Sequence, residues 1–335
     1  RDAPYFGFEI PNEKNKYFYV WLDAPIGYIA SLANWASNNS KDINEYWSDK
    51  SDYEIVHFIG KDIAYFHCLF WPAILDSSNF KKPDSVYVHG FLTINGEKMS
   101  KSKGTGITTE DFAKHCDPEL LRYYLASKLN DKVEDVDLNI EDLSQRINSD
   151  LVGKYLNIAS RSSTFIEKNK GLLSSEVDTT LLEKIKNAAD EIRHFYDSRQ
   201  YSKAVRLIMD MADHTNKYIN DKKPWKLSNN EAAEVATTAT NAFRLITIYL
   251  SPILPKLTFE AFKLLGLDNQ DYSNINDDLV SITINKYEPL LQRMEALTIE
   301  QFKNEEINMS NDENSNDINT ININQFMETD LRVAK

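Results

Sequence analysis

Apolar positions come first in short runs separated by turn residues. Residues 17–22 (Tyr-Phe-Tyr-Val-Trp-Leu) are aromatic and β-branched, which reads as a strand. Asp23-Ala24-Pro25 ends it, and a helix is expected from about Ile26. Residues 54–59 read as a second strand, Gly60-Lys61-Asp62 turns the chain, and residues 63–75 read as a helix. Residues 85–94 read as a third strand, closed by the hairpin dipeptide Asn95-Gly96. Strands alternating with helices predict a mostly parallel α/β sheet. Ligands of such sheets sit at the carboxyl ends of strands, where Asp23 and Gly60-Lys61-Asp62 both fall.

From about Thr108 the period changes. Thr108 and Asp111 are spaced as a capping pair, and helices are expected over about 118–128, 140–168, 179–197, 201–221, 231–250 and 256–266. No strand is expected among them, so this half reads as a helix bundle, without internal repeats. Residues 303–319 are rich in Asn, Asp, Glu and Ser and poor in large apolar groups, which predicts a disordered linker. Apolar alternation restarts at Ile321-Asn322-Ile323, and a further domain is expected to begin there.

Composition narrows the class. The 335 residues suggest roughly two domains. With 42% hydrophobic and 27% charged residues the balance is that of a globular protein. No stretch approaches the roughly 20 apolar residues of a membrane helix, and no secretory leader is visible. Cys68 and Cys116 lack partners at metal-ligand spacing, so no zinc knuckle and no other metal site is expected. Cys68 lies in an apolar run, where a buried free thiol is the plain expectation. Sparse cysteine fits a reducing cytoplasm. The formal charge of −13 argues against a general nucleic-acid coat but leaves room for an enzyme with local basic patches.

The sharpest chemical signal is Lys98-Met99-Ser100-Lys101-Ser102, followed by Lys103-Gly104-Thr105. A flexible cationic loop placed after a strand and hairpin can close on a triphosphate as pyrophosphate leaves. Taken alone, the same pentamer also suits a solvated surface loop. It resembles the KMSKS signature of class I aminoacyl-tRNA synthetases at all five positions. Tyr19-Val20-Trp21-Leu22-Asp23-Ala24-Pro25-Ile26-Gly27-Tyr28 and His57-Phe58-Ile59-Gly60-Lys61-Asp62-Ile63-Ala64-Tyr65-Phe66-His67 resemble bacterial methionyl-tRNA synthetases and point to the amino acid more sharply than the lysine loop.

That resemblance implies a Rossmann-like α/β nucleotide-binding half-domain over 1–107 and a linker with an all-α anticodon-binding helix bundle over 108–300. It further implies a linker over 301–320 and the opening of an oligonucleotide-binding barrel over 321–335. It places ATP, with Mg2+ as part of the substrate, on Gly60, Asp62, Lys98, Met99, Ser100, Lys101 and Ser102. Lys101 and Lys98 are then the catalytic cations on the pyrophosphate. It lines a methionine pocket with Trp21, Ala24, Pro25, Tyr28, Ile63 and His67. Methionine is a polarisable, uncharged thioether, for which aromatic walls and a hydroxyl are the fitting partners. No side-chain base is required, because the substrate carboxylate is itself the nucleophile and catalysis is positioning plus charge stabilisation. Ile63, Phe66, His67, Phe70, Trp71 and Ile74 also make an ordinary buried stripe. His67 and Ile63 are assigned to the pocket, Phe70 and Ile74 to the core, and Trp71 to either.

In the helical half, Lys154, Asn157 and Arg161 share one helix face, with Tyr155, Leu156 and Ala159 turned inward. Trp225 follows Lys222-Lys223-Pro224, a platform on which an unstacked base can lie. The resemblance implies that Asn157, Arg161 and Trp225 read a CAU anticodon. Gly153 stands where the bacterial pattern often has Asn. Without the resemblance, Asn157 and Arg161 suit a solvated face and Trp225 suits bundle packing.

The implied activity is methionine–tRNA ligation through methionyl-adenylate, with methionine, ATP and tRNA(Met) as partners and no membrane. Both ends are expected to be truncated relative to the family. The first half of the nucleotide fold, with its His-x-Gly-His-type motif and an inserted domain that often holds zinc, would lie upstream, and no zinc belongs to this chain. The barrel begun at the tail would allow a homodimer. The chain by itself is then expected not to charge tRNA. The competing readings are a non-catalytic tRNA-binding relative and a class I synthetase for leucine or cysteine.

Overall fold

In a computed structural model of the chain the described residues are 2–4, 7–22, 24–98 and 107–297, with backbone only for Leu22, Glu97 and Lys98. Met99, Ser100, Lys101 and Ser102, Asp23, and the expected linker and barrel segments at 301–320 and 321–335 lie outside them.

Residues 17–22 do not form the expected strand. Glu9 and Tyr17 make an isolated antiparallel bridge, and Val20–Leu22 is a turn of 3-10 helix. The aromatic rings explain the difference. Tyr19 and Trp21 pack on Phe66, with centroids 5.6 and 4.8 Å away, so side-chain packing on a helix replaces a ladder. Helix α1 (Ile26–Asn38) follows, then α2 (Asn44–Trp47).

Strand β1 (Val56–Gly60) runs into a 3-10 turn at Lys61–Ile63, a π-helical turn at Phe66–Phe70 and α3 (Trp71–Ser77). Proline has no N–H to give to the preceding turn, and the helix widens just before Pro72, where Trp71 N–H bonds back to the Phe66 carbonyl. Strand β2 (Ser85–His89) returns parallel to β1, from Val56↔Ser85 to Gly60↔His89. The β1–α3–β2 crossover is the expected α/β unit.

The strand expected over 85–94 breaks at Gly90-Phe91. Strand β3 (Leu92–Ile94) belongs to a different sheet, paired antiparallel with β4 (Glu97–Lys98) and parallel with β5 (Val136–Leu138). At the break the Glu134 backbone passes so close that a Cβ on Gly90 would stand 2.2 Å from its carbonyl oxygen, so this position requires glycine. Between β3 and β4, Asn95 and Gly96 take φ of 48° and 81°, the geometry of the expected hairpin. Strand β5 corrects the expectation of a strand-free second half. Its partner lies far away in sequence, so no local pattern announces the pairing.

The helices are α4 (Thr109–His115), α5 (Pro118–Ala126), α6 (Ile140–Arg146), α7 (Leu156–Lys168), α8 (Thr179–Asn187), α9 (Ala189–Asp197), α10 (Tyr201–Lys222), α11 (Asn229–Leu250) and α12 (Pro255–Leu264). Thr108 caps α4 as expected, accepting from Asp111 N–H at 3.0 Å. The single helix expected over 140–168 contains a π-helical segment, Ile147–Tyr155, which carries Gly153. Tyr155, Leu156 and Ala159 are buried as expected. α11 is buried on all sides between its neighbours, and one continuous core joins α4 to α12. A smaller core of Trp47, Trp71 and Leu75 sits under β1. Two burial expectations fail. Cys68 is exposed, and Phe70 remains 39% exposed, because the widened turn points both away from that core.

Candidate functional site

The π-helical turn after β1 builds the first part of the site. His67 is fully buried, and its Nδ1 lies 3.0 Å from the Ile63 carbonyl, four residues back. A carbonyl can only accept, so Nδ1 carries the proton and Nε2 offers a lone pair. Tyr28, from α1, lies 2.8 Å from Nε2 and donates its hydroxyl proton there. Trp21 stands edge-on to His67 at 5.5 Å and stacks on Phe66. Pro25 is buried at the start of α1, while Ala24 is exposed beside it. Thus Trp21, Tyr28 and His67 come together, Ile63 joins them through its carbonyl, and Ala24 and Pro25 lie just before Tyr28 at the start of α1.

Two neighbours complete the cluster: His57, which was not singled out from the sequence, and Trp71, which was assigned to either pocket or core. His57, on β1, is buried and accepts the Trp71 indole N–H at 3.2 Å. Its ring lies 4.9 Å from Tyr28 and 5.5 Å from His67. Burial, and then proximity to His67, push its pKa below the ordinary histidine value. Trp71, fully buried, belongs to the core and also orients the site through His57. The result is an aromatic cluster with one phenol at its edge, a surface suited to pack against a linear, polarisable side chain.

The carboxyl end of β1 forms the second part. A Cβ on Gly60 would stand 2.8 Å from Asp62 Oδ1, so the carboxylate lies directly over the glycine. Lys61 turns away, bonds Asp135 at 2.6 Å and covers the Phe91 ring at 4.5 Å. Asp135 also accepts from Phe91 N–H at 2.7 Å. Asp137, on β5, accepts from Thr93 Oγ1 and Gly96 N–H, both at 2.7 Å. The hairpin that delivers Lys98 is therefore braced by Asp137, from a strand the sequence pattern did not show, while Asp135 just before that strand holds Phe91 and Lys61. The alternation Asp135-Val136-Asp137-Leu138 was the available signal.

The third part lies on α7 and α10. Asn157 Nδ2 donates to Asn216 Oδ1 at 3.0 Å. Arg161 donates to Asn216 Oδ1 and its carbonyl, both at 3.3 Å, and to Asn220 Oδ1 at 2.6 Å. Asn216 is itself anchored, giving its amide protons to the Lys154 and Ala212 carbonyls. These acceptors are all neutral, so they orient the Arg161 charge without cancelling it. Partial burial lowers its pKa without threatening its protonation. Lys154, on the same face, is tied to Asp213 at 2.7 Å. Trp225 projects 55% exposed from a 3-10 turn, Pro224–Lys226, beyond Lys223 in the left-handed region at φ 51°. Asn216 and Asn220 were not foreseen, because only the α7–α10 packing brings them to Asn157 and Arg161.

Residues 1–163 match the family described as class I tRNA synthetases (M), and residues 178–329 match the anticodon-binding domain of tRNA ligases. The chain belongs to the methionyl-tRNA synthetase family. The methionine–tRNA ligase of Psychrobacter cryohalolentis is 50% identical over 317 residues, an alignment covering 89% of this chain and 45% of that protein. That of Neisseria meningitidis serogroup B is 49% identical over 309 residues, covering 90% and 45%. The chain thus spans about half the length of the curated methionyl-tRNA synthetases it matches. The Mycobacterium tuberculosis methionyl-tRNA synthetase in complex with methionyl-adenylate superposes with a TM-score of 0.73 at 26% identity, over 86% of this chain and 58% of that one. Among the described residues no group of three or more His, Cys, Asp or Glu is placed to hold a metal ion, and no helix is long and apolar enough to cross a membrane.

Proposed function

We propose that this chain supplies the methionine pocket, part of the ATP site and the anticodon-reading helices of a cytoplasmic methionine–tRNA ligase. The observation that carries the reading is the Tyr28–His67 hydrogen bond set against the Trp21 edge. It makes a fixed, uncharged cavity wall for a thioether. Trp21, Ala24, Pro25, Tyr28, Ile63 and His67 would enclose the methionine side chain. Gly60 would admit the nucleotide close to the backbone, and Asp62 would take the ribose hydroxyls. The methionine carboxylate attacks the α-phosphate of Mg·ATP, forming the acyl–phosphate bond as the bond to pyrophosphate breaks. Lys98 and Lys101 would hold the charge that leaves. Asn157, Arg161 and Trp225 would bind the CAU anticodon of tRNA(Met), with Asn216 and Asn220 setting the first two. A homodimer through the segment opened at 321–335 belongs to the same reading.

The test is amino-acid-dependent ATP–pyrophosphate exchange by the whole protein, with methionine, leucine, isoleucine and cysteine. Exchange is expected with methionine alone, and Lys101→Ala should lower it by about 10²–10³-fold, the usual loss of one charge-stabilising group. No exchange in a demonstrably folded protein that still binds tRNA would favour a non-catalytic tRNA-binding role.

A further inference from the structure

Next to the anticodon-reading face, α8 and α10 enclose an open groove with a cationic lining. Lys184 on α8 lies 2.8 Å from His214 Nε2 on α10, so an ammonium proton points at a neutral imidazole nitrogen. Lys217 lines the same groove and has no carboxylate partner among the described residues. Lys222 closes its end, paired with Asp178 at 3.2 Å and lying over the Tyr218 ring at 5.3 Å. Asp221 is the second carboxylate of the lining. Asp178 is engaged by Lys222, which leaves Lys184 and Lys217 with one carboxylate, Asp221, to answer them.

The position of this groove matters more than its charge alone. On a helix of 3.6 residues per turn, Lys217 is offset about 100° from Asn216 and about 60° from His214. It therefore stands between the face that holds Arg161 and the groove. The groove also runs to the end of α10, which delivers Trp225 two residues after Lys223. In a chain of net charge −13, a pair of lysines with one carboxylate between them beside a base-reading face has a specific use. Base contacts specify, but phosphate contacts position the strand.

We infer that the α8–α10 groove binds the RNA backbone beside the anticodon, with Lys184 and Lys217 as the phosphate ligands. His214, now accepting from Lys184, holds that ammonium at the groove and releases it to the stronger acceptor. This rests on the anticodon-reading role proposed above and extends it from bases to backbone. The contact carries no sequence information.

The measurement is the affinity of the whole protein for two stem-loop RNAs, one with a CAU loop and one with a different loop on the same stem, across a series of salt concentrations. The Lys184→Gln/Lys217→Gln variant should bind both RNAs about three- to tenfold more weakly. Its log–log salt slope should be shallower by about 0.7 for each phosphate lost, with the preference for CAU intact. Lys184→Arg/Lys217→Arg should restore the slope. If the Gln variant matches the parent in affinity and slope while Trp225→Ala loses the CAU preference, the groove assignment is overturned and the anticodon reading stands. If the parent protein shows no CAU preference, both are overturned.

Discussion

His57 shows how one buried residue can carry a pH dependence for the whole fold. Its Nε2 accepts the Trp71 indole proton, and protonation there would set two donors against each other. Burial and the nearby His67 ring lower its pKa in the fold. The unfolded chain protonates the same residue near the ordinary value of about 6.5. In the interval below that value the unfolded state binds the extra proton and the folded state does not. The stabilising contribution is therefore complete above about pH 6.5 and shrinks as pH falls through the interval. His57→Gln keeps an acceptor for Trp71 but cannot titrate. Between about pH 7.5 and about pH 5.5 the parent protein should lose more Tm than this variant. Equal losses would show that His57 does not carry the effect.

At the scale of elements, local chemistry was legible and long-range pairing was not. The Asn95-Gly96 hairpin, the Thr108 cap and the turn at Gly60-Lys61-Asp62 each depend on residues a few positions apart, and each appears as read. The run at 17–22 misled because aromatic residues suit a strand and a packed 3-10 turn alike. Strand β5 and the Asn216–Arg161 contacts depend on partners brought together only by tertiary packing. The helix widening at Phe66–Phe70, which turns His67 inward and Cys68 outward, has a local cause in Pro72 but no periodic signature. Gly90 joins both kinds of information. It sits inside an otherwise strand-like run, and the reason is the Glu134 backbone 2.2 Å from where its Cβ would be. A backbone carbonyl cannot rotate aside as a side chain can. Gly90→Ala should therefore cost about 3 kcal/mol or more by denaturant unfolding, at the upper end of overpacking effects. A loss under about 0.5 kcal/mol would show that the 90–91 and 134–135 segments part easily.

For the molecule as a whole, the distribution of apolar surface is uneven. The bundle from α4 to α12 gathers most of its apolar residues in one core and exposes a few singly, whereas the α/β half leaves Phe58, Tyr65 and Leu69 at 64%, 61% and 55% exposure. His57 and Ile59 are buried on one side of β1, so by strand alternation Phe58 faces the other, against Tyr87 across the register and at the edge of an open cavity. Tyr65 and Phe70 lie against each other on the outer side of the widened turn. Clustered exposed aromatics of this kind favour association over solvation. The net charge of −13 opposes aggregation at low salt and is screened at high salt. This chain should accordingly bind a hydrophobic dye at its α/β half and self-associate more as salt rises, read by sedimentation. Phe58→Thr with Leu69→Gln respects the strand and helix preferences at those sites and removes apolar area that supports neither core. That pair should reduce both dye binding and association while changing stability by no more than about 1 kcal/mol. Salt-independent monomers with no dye binding in the parent chain would mean that these side chains are covered in solution. A large loss of stability in the double variant would mean instead that they belong to a core.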